Sequence, residues 1–381
     1  MCKRILISAR LYAAAGIETH LLNLCRLLVR EGANVTLACR IAHRDVPLVQ
    51  AHREIGVRLI QTPFARNARF FKASTAWALL KWPILLREEK FDVVYSLDIT
   101  RFTAFLARFV RPGGAVLWNR IGNLALSSES IDAKLLNILD GVIVETDRQA
   151  VAIRDAYGVK VRVAAISHLA HYNSIAPRKE NRNGILRVAF FGRYAKEKGI
   201  HRLLDVWRDL KIGNAELSFH GHGSADKELA AQIEHDDLCR SVKINGSYTE
   251  TELSTLLDST DLVVLPSESE GLPLVLLEAM AHGVPFVATD VGAVRTLAED
   301  NPDVLVVPND DESIKRGIET MAKLIRTGAI DGRRLQAYHE RQFGFEKMAE
   351  RWSEALLNAE SFWRANDSCD DASDSGEMQA T

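Results

Sequence analysis

Twice along this chain, short apolar runs alternate with longer stretches whose apolar residues recur at helical spacing, and that alternation admits few folds. In the first half the runs "KRILISA", "NVTLAC", "VRLIQT", "DVVYSL", "AVLWN" and "GVIVET" read as strands. The first intervening helix, "ETHLLNLCRLLVREG", has apolar residues at 21, 22, 24, 27 and 28 and a stop at Gly32. After a polar interruption the same order restarts with "RVAFFG", "AELSFHG", "VKING", "DLVVLP", "PFVAT" and "VLVVP", again with helical stretches between them. Strand–helix–strand repetition predicts parallel sheets with helices on both faces.

The expected organisation is therefore α/β, with two Rossmann-like parallel-sheet domains facing each other across a cleft. Residues 1–172 form the first. The segment "NSIAPRKENRNGILR", 173–187, carries Pro, Asn and charge and reads as a linker. Residues 188–345 form the second, 346–365 a closing amphipathic helix, and 366–381 an acidic tail expected to be disordered. The chain is 47% hydrophobic and 26% charged, an ordinary globular balance. Its cysteines (Cys2, Cys25, Cys39, Cys239, Cys369) are scattered, with neither disulfide nor zinc spacing, which suits a reducing cytoplasm. The N-terminus reads as a strand and not as a signal peptide, and no apolar run is long enough to span a bilayer. Net charge is −2, but residues 1–180 carry 26 Lys+Arg against 15 Asp+Glu, leaving the remainder acidic. A basic first half suits an anionic partner such as a membrane surface or phosphorylated acceptor.

The stretch "SESEGLPLVLLEAMAHGVP" sets Glu270 before a glycine and Glu278 inside an apolar helix expected over 272–281. It follows the strand "DLVVLP", and ligands of open parallel sheets bind beyond such strand ends. The free N–H groups and partial positive charge of a helix N-terminus suit a phosphate. Eight residues separate the carboxylates, roughly 10–12 Å along a helix at ~1.5 Å per residue. That matches the scale of a nucleotide-sugar, with hydroxyls at each end and a diphosphate between, and carboxylates accept hydrogen bonds from diols. Cations for the diphosphate come from "FFGRYAKEKGIHRLL": Arg193 after Gly192, and Lys198 before Gly199.

With this set, "PSESEGLPLVLLEAMAHGVPFVATDVGA" and "FGRYAKEKG" resemble the family 4 retaining glycosyltransferases of the GT-B fold (glycosyl transferases group 1). The opening "RILIS…AAGIETHLLNLCRLLVREGANVTL" is similar to that family's first strand, loop and helix, and the likeness runs over about 1–365. The resemblance implies transfer of a sugar from a nucleoside-diphosphate sugar to an acceptor hydroxyl, with retention and without a metal or other cofactor. Glu278 would hold the donor ribose, Glu270 the sugar near its reacting carbon, and Arg193 and Lys198 the diphosphate. Gly192 and the backbone of Gly271, Leu272, Pro273, Leu274 and Val275 would line the donor site, and Gly16 would approach the phosphates from the other domain. Glycan or lipid-linked acceptors fit, in cell-surface polysaccharide, lipopolysaccharide or glycolipid assembly.

The chain departs from the family pattern at several points. One glycine of the first loop pair is Ala15, and the second pair is Gly292-Ala293. Asn119 and Arg120 stand where many members have a histidine, so Asn119 would position by hydrogen bonds and not act as a base. Asp98 is a further acceptor-side candidate, and His222 a candidate neighbour of the nucleotide. The segment 63–90 interleaves Arg66, Arg69, Lys72 and Lys81 with Phe64, Phe70, Phe71, Trp77 and Trp82. It reads equally as a helix covering the first sheet or one lying in an anionic membrane interface, peripheral at the inner face of the cytoplasmic membrane. Other readings stand alongside: a non-catalytic nucleotide-sugar-binding scaffold, or another GT-B enzyme such as a sugar-nucleotide epimerase. A dinucleotide-dependent dehydrogenase would need G-x-G-x-x-G after the first strand, which reads "ARLYAAAGIE" here. No nucleic-acid-binding module appears.

Overall fold

A computed structural model describes residues 2–11, 16–41, 47–63, 90–97, 101–119, 136–157, 162–169, 184–210 and 212–365. Asp98, Arg120, 64–89 of the basic aromatic segment, the linker up to residue 183 and the acidic tail 366–381 lie outside the described residues. The chain divides into two compact units, the first built from 1–121, 127–170 and 346–381, the second from 122–126 and 171–345.

Among the described residues, the first unit holds seven strands: β1 (Arg4–Leu11), β2 (Asn34–Ile41), β3 (Arg58–Pro63), β4 (Phe91–Ser96), β5 (Val110–Asn119), β6 (Gly141–Val144) and β7 (Val163–Ala165). Their order is β3-β2-β1-β4-β5-β6-β7, and every pair is parallel. β6 is buried along its whole length, as a strand covered on both faces must be. The C-terminal segment, expected as one helix, is two: Phe345–Leu357 and Ala359–Ala365. Both pack into this first unit. Fully buried Trp352 donates its Nε1–H to the Ser167 carbonyl at 2.9 Å. Trp363 covers Gly141, where a Cβ would come within 2.3 Å of its ring.

The second unit holds β8 (Leu186–Phe191), β9 (Ala215–His220), β10 (Val242–Ile244), β11 (Leu262–Leu265), β12 (Phe286–Thr289) and β13 (Leu305–Val307), ordered β10-β9-β8-β11-β12-β13 and again all parallel. Its core joins Phe190, Phe191, Phe219 and Phe286 from the strands to Leu203, Leu276 and Ile318 from the helices. The chain runs β8 to β10 toward one edge and β11 to β13 toward the other. The order therefore reverses between β8 and β11, which pair directly. Such a switch point leaves the loops after those two strands beside one another at the carboxyl end of the sheet.

Candidate functional site

The loops after β8 and β11 meet at that switch point, and a glycine lets them touch. After β8 come Gly192, Arg193 and a short turn, Lys196–Lys198, that ends at Gly199 in the left-handed conformation (φ 70°). A Cβ on Gly199 would lie 2.1 Å from the carbonyl oxygen of Pro266, the first residue after β11. The Glu268 N–H donates to the Glu197 carbonyl at 2.9 Å, tying the loops a second time.

This contact brings Lys198 onto Glu270. Lys198 Nζ donates to Glu270 Oε2 at 2.7 Å, and the Ser267 hydroxyl donates to Glu270 Oε1 at 2.6 Å. Glu270 is only 9% exposed, so its charge is held by these two groups more than by water. The loop after β12 fixes the backbone beneath it. Gly292 has φ 58°, and a Cβ there would sit 2.1 Å from the Glu270 carbonyl oxygen. The neighbouring Ala293 N–H donates to the Gly271 carbonyl at 2.9 Å. Of the Gly292-Ala293 pair, only the first position thus demands glycine.

The helix bearing Glu278 begins later than the expected residue 272. It spans Leu274–Ala281, with Pro273 as an extended N-cap (ψ 112°). Proline has no N–H to offer, so the open donors of the first turn belong to Leu274 and Val275. Leu276, Leu277, Ala279, Met280 and Ala281 are buried, whereas Leu274, Val275 and Glu278 are half-buried. Those three lie at i, i+1 and i+4, one stripe of the helix. Glu278 therefore shares a face with the helix N-terminus, which explains a carboxylate in an otherwise apolar run.

Arg193 is not brought onto Glu270. It is exposed, and its Nη2 pairs with Glu197 Oε1 at 2.7 Å. The two cations expected to act together are thus engaged by different carboxylates.

One residue near Glu278 has no counterpart in the sequence reading. Tyr248, in the loop after β10, has its phenol pKa raised by burial and, secondarily, by the Glu278 charge. Its ring meets Phe191 edge-on at 5.7 Å, and His220 stacks on Phe191 at 4.7 Å. Burial pushes His220 down to about 4, so this row of rings is neutral near pH 7. The only hint in the sequence was an aromatic just past a short strand end. His222 lies in an exposed turn with its Nδ1 3.0 Å from the Ser247 hydroxyl.

In the first unit, Gly16 opens the helix Gly16–Arg30 and is exposed. Asn119 ends β5, is 2% exposed, and donates its Nδ2–H to the Tyr95 hydroxyl at 2.6 Å. Nearby, His20 accepts the Leu169 N–H on Nδ1 at 2.8 Å, and its ring meets His168 at 5.0 Å. His168 Nε2 lies 3.4 Å from Glu145 Oε1. Burial lowers both imidazoles, His168 to about 4, so this contact joins a carboxylate to a neutral ring and not to a cation. Among the described residues, no group of three His, Cys, Asp or Glu could hold a metal ion, and no helix is long and apolar enough to cross a membrane.

Residues 174–325 match the family described as glycosyl transferases group 1, and residues 15–120 match the glycosyl transferase 4-like domain. The chain belongs to the family 4 glycosyltransferases of the GT-B fold. An uncharacterised glycosyltransferase of Haemophilus influenzae is 25% identical over 368 residues, 90% of this chain and 97% of that one. The amylovoran biosynthesis glycosyltransferase AmsK of Erwinia amylovora is 31% identical over 134 residues, 33% of either chain, so this match spans a third of that relative's length. HepE of Anabaena in complex with UDP shares the fold at a TM-score of 0.72 and 18% identity, covering 93% of this chain and 100% of that one.

Proposed function

We propose that the chain transfers a hexosyl group from a nucleoside-diphosphate sugar to an acceptor hydroxyl, with retention, in the assembly of a surface polysaccharide or glycolipid. The observation that carries this reading is the meeting of Lys198 and Glu270 at the switch point of the C-terminal unit, beside the open N–H groups of Leu274 and Val275. A cation, a largely buried carboxylate and a helix N-terminus there are the complement of a sugar diphosphate. HepE, which shares the fold, was crystallised with UDP, and AmsK takes its name from a polysaccharide; both support the reading.

In this reading the donor lies over the loops after β8, β11 and β12. Glu278 accepts hydrogen bonds from the ribose diol, and Gly192, Gly271, Leu272, Pro273, Leu274 and Val275 line the path of the nucleotide. Lys198 and Arg193 turn toward the diphosphate, where with the helix N-terminus they neutralise the leaving charge, so that no metal ion is required. Glu270 accepts from hydroxyls of the sugar beside its anomeric carbon. The acceptor hydroxyl attacks the anomeric carbon on the face the diphosphate leaves, and the departing phosphate oxygen takes its proton. That route needs no side-chain base and accommodates Asn119, whose amide already donates to Tyr95. Asp98, Asn119 and Arg120 are assigned to the acceptor side. The basic aromatic segment 63–90 is a candidate for contact with an anionic membrane surface, which would hold the protein at the cytoplasmic face of the membrane.

The test is turnover of UDP-, GDP- and ADP-sugars with lipid-linked and glycan acceptors, followed by NMR of the product. The expected product keeps the anomeric configuration of the donor. An inverted product would overturn the same-face mechanism, and absence of nucleotide release with every donor would overturn the transferase reading.

A further inference from the structure

The Glu270 carboxylate is held by two donors of different kinds. Lys198 on Oε2 is a cation on a flexible stem, 22% exposed, and the same group that a diphosphate would attract. Ser267 on Oε1 is neutral and fully buried, and it precedes Glu270 by three residues in the same loop. The serine is itself fixed from behind. Its carbonyl oxygen accepts the hydroxyl of fully buried Thr289, at the end of β12, at 2.5 Å. The close approach of Gly292 to the Glu270 carbonyl and the Ala293–Gly271 hydrogen bond hold the main chain on the other side. The main chain that carries the Ser267 hydroxyl therefore occupies a place set by β11 and β12 and not by Lys198.

We propose that Ser267 is a positioning residue that holds the Glu270 carboxylate in its sugar-facing orientation once Lys198 turns to the diphosphate. The proposal rests on the donor-site reading above. Without the serine hydroxyl, Oε1 loses its donor, and once Lys198 has turned to the diphosphate the carboxylate is free to rotate away from the sugar hydroxyls. The loss falls on the sugar end of the donor and spares the nucleoside diphosphate, because the Ser267 hydroxyl donates to Glu270 and its carbonyl accepts from Thr289.

The experiment compares calorimetric affinities for a nucleoside diphosphate and for its sugar, in the full chain and in Ser267→Ala, Thr289→Val and Glu270→Ala, with melting curves to verify folding. Ser267→Ala is expected to weaken nucleotide-sugar binding about 10-fold, the scale of one hydrogen bond to a charged group, and to change free nucleoside diphosphate binding less than about 2-fold. Thr289→Val moves the ratio in the same direction by less. In the Glu270→Ala background, Ser267→Ala has no further effect, and Ser267→Thr in the native background restores part of the sugar preference. An unchanged ratio, equal losses for both ligands, or additivity with Glu270→Ala would overturn the role of Ser267 while leaving the donor site standing. A native chain that binds neither ligand would overturn the donor site and this role together.

Discussion

Removing the Lys198 ammonium while keeping its length, Lys198→Met, should destabilise the C-terminal unit, and the size of the effect follows from the burial of its partner. The Glu270 side chain is 7% exposed and that of Lys198 22%. A surface ion pair contributes only about 0–1 kcal/mol, whereas stripping one partner from a buried pair costs about 3–5 kcal/mol because a charge is left without its counterion. Ser267 still donates to Glu270 in the variant, and water can reach the vacated side, so about 2–3 kcal/mol is expected. For a domain of this size that corresponds to a fall of roughly 4–12 °C in the melting transition. The cause is the stranded charge, so Lys198→Met combined with Glu270→Gln should recover most of the loss. The assay is a double-mutant cycle read by differential scanning calorimetry and urea unfolding, with a coupling of about 2 kcal/mol expected between the two positions. A single variant as stable as the native chain, or a double variant whose loss is the sum of the singles, would refute the argument that Glu270 depends on Lys198.

Arg193→Ala presents the opposite case: its exposed pair with Glu197 contributes at most about 0.5 kcal/mol, so stability should barely change while diphosphate affinity falls several-fold by calorimetry. Gly292→Ala should be severe, because the added Cβ meets the Glu270 carbonyl oxygen at 2.1 Å and the residue sits at φ 58°; a lowered melting temperature and lost nucleotide-sugar binding are expected together. The buried His168 supplies a pH dependence. Its folded pKa of about 4 lies below the unfolded value of about 6.5, so the unfolded chain binds the extra proton between those values. Its contribution is fully present above pH ~6.5 and is lost as pH falls toward 4, by at most about 3 kcal/mol. Urea midpoints at pH 7 and pH 4.5 should therefore draw together in His168→Gln; an unchanged pH dependence in that variant would contradict the assignment.

The strands were legible because a parallel strand buried on both faces must be apolar throughout, and "LVVL" and "GVIV" carry that pattern in four residues each. The family motifs were legible for a related reason: Gly199 and Glu270 occupy places where backbone geometry and charge leave few choices. The onset of the Glu278 helix was misjudged because Pro at a helix start usually occupies the first turn, whereas Pro273 stays extended and defers the helix to Leu274. Which core the C-terminal helices join was not legible, since an amphipathic pattern reveals an apolar face but not the surface that covers it. The pairing of Lys198 with Glu270 rather than with Arg193's side of the turn depends on β8 lying beside β11, a matter of strand order. Tyr248 and Ser267 escaped notice for the same reason: one lies past a three-residue strand, and the other matters only through the atom it faces.

The proposed donor site lies in the C-terminal unit with Glu278 at its nucleoside end. The most direct test is isothermal titration of UDP-, GDP- and ADP-sugars into the native chain and into Glu278→Ala. One nucleotide class is expected to bind the native chain, with affinity lowered about 10-fold or more in the variant through loss of hydrogen bonds to a charged acceptor, melting curves verifying that the variant is folded. Binding of equal strength to both proteins, or to neither, would contradict the account.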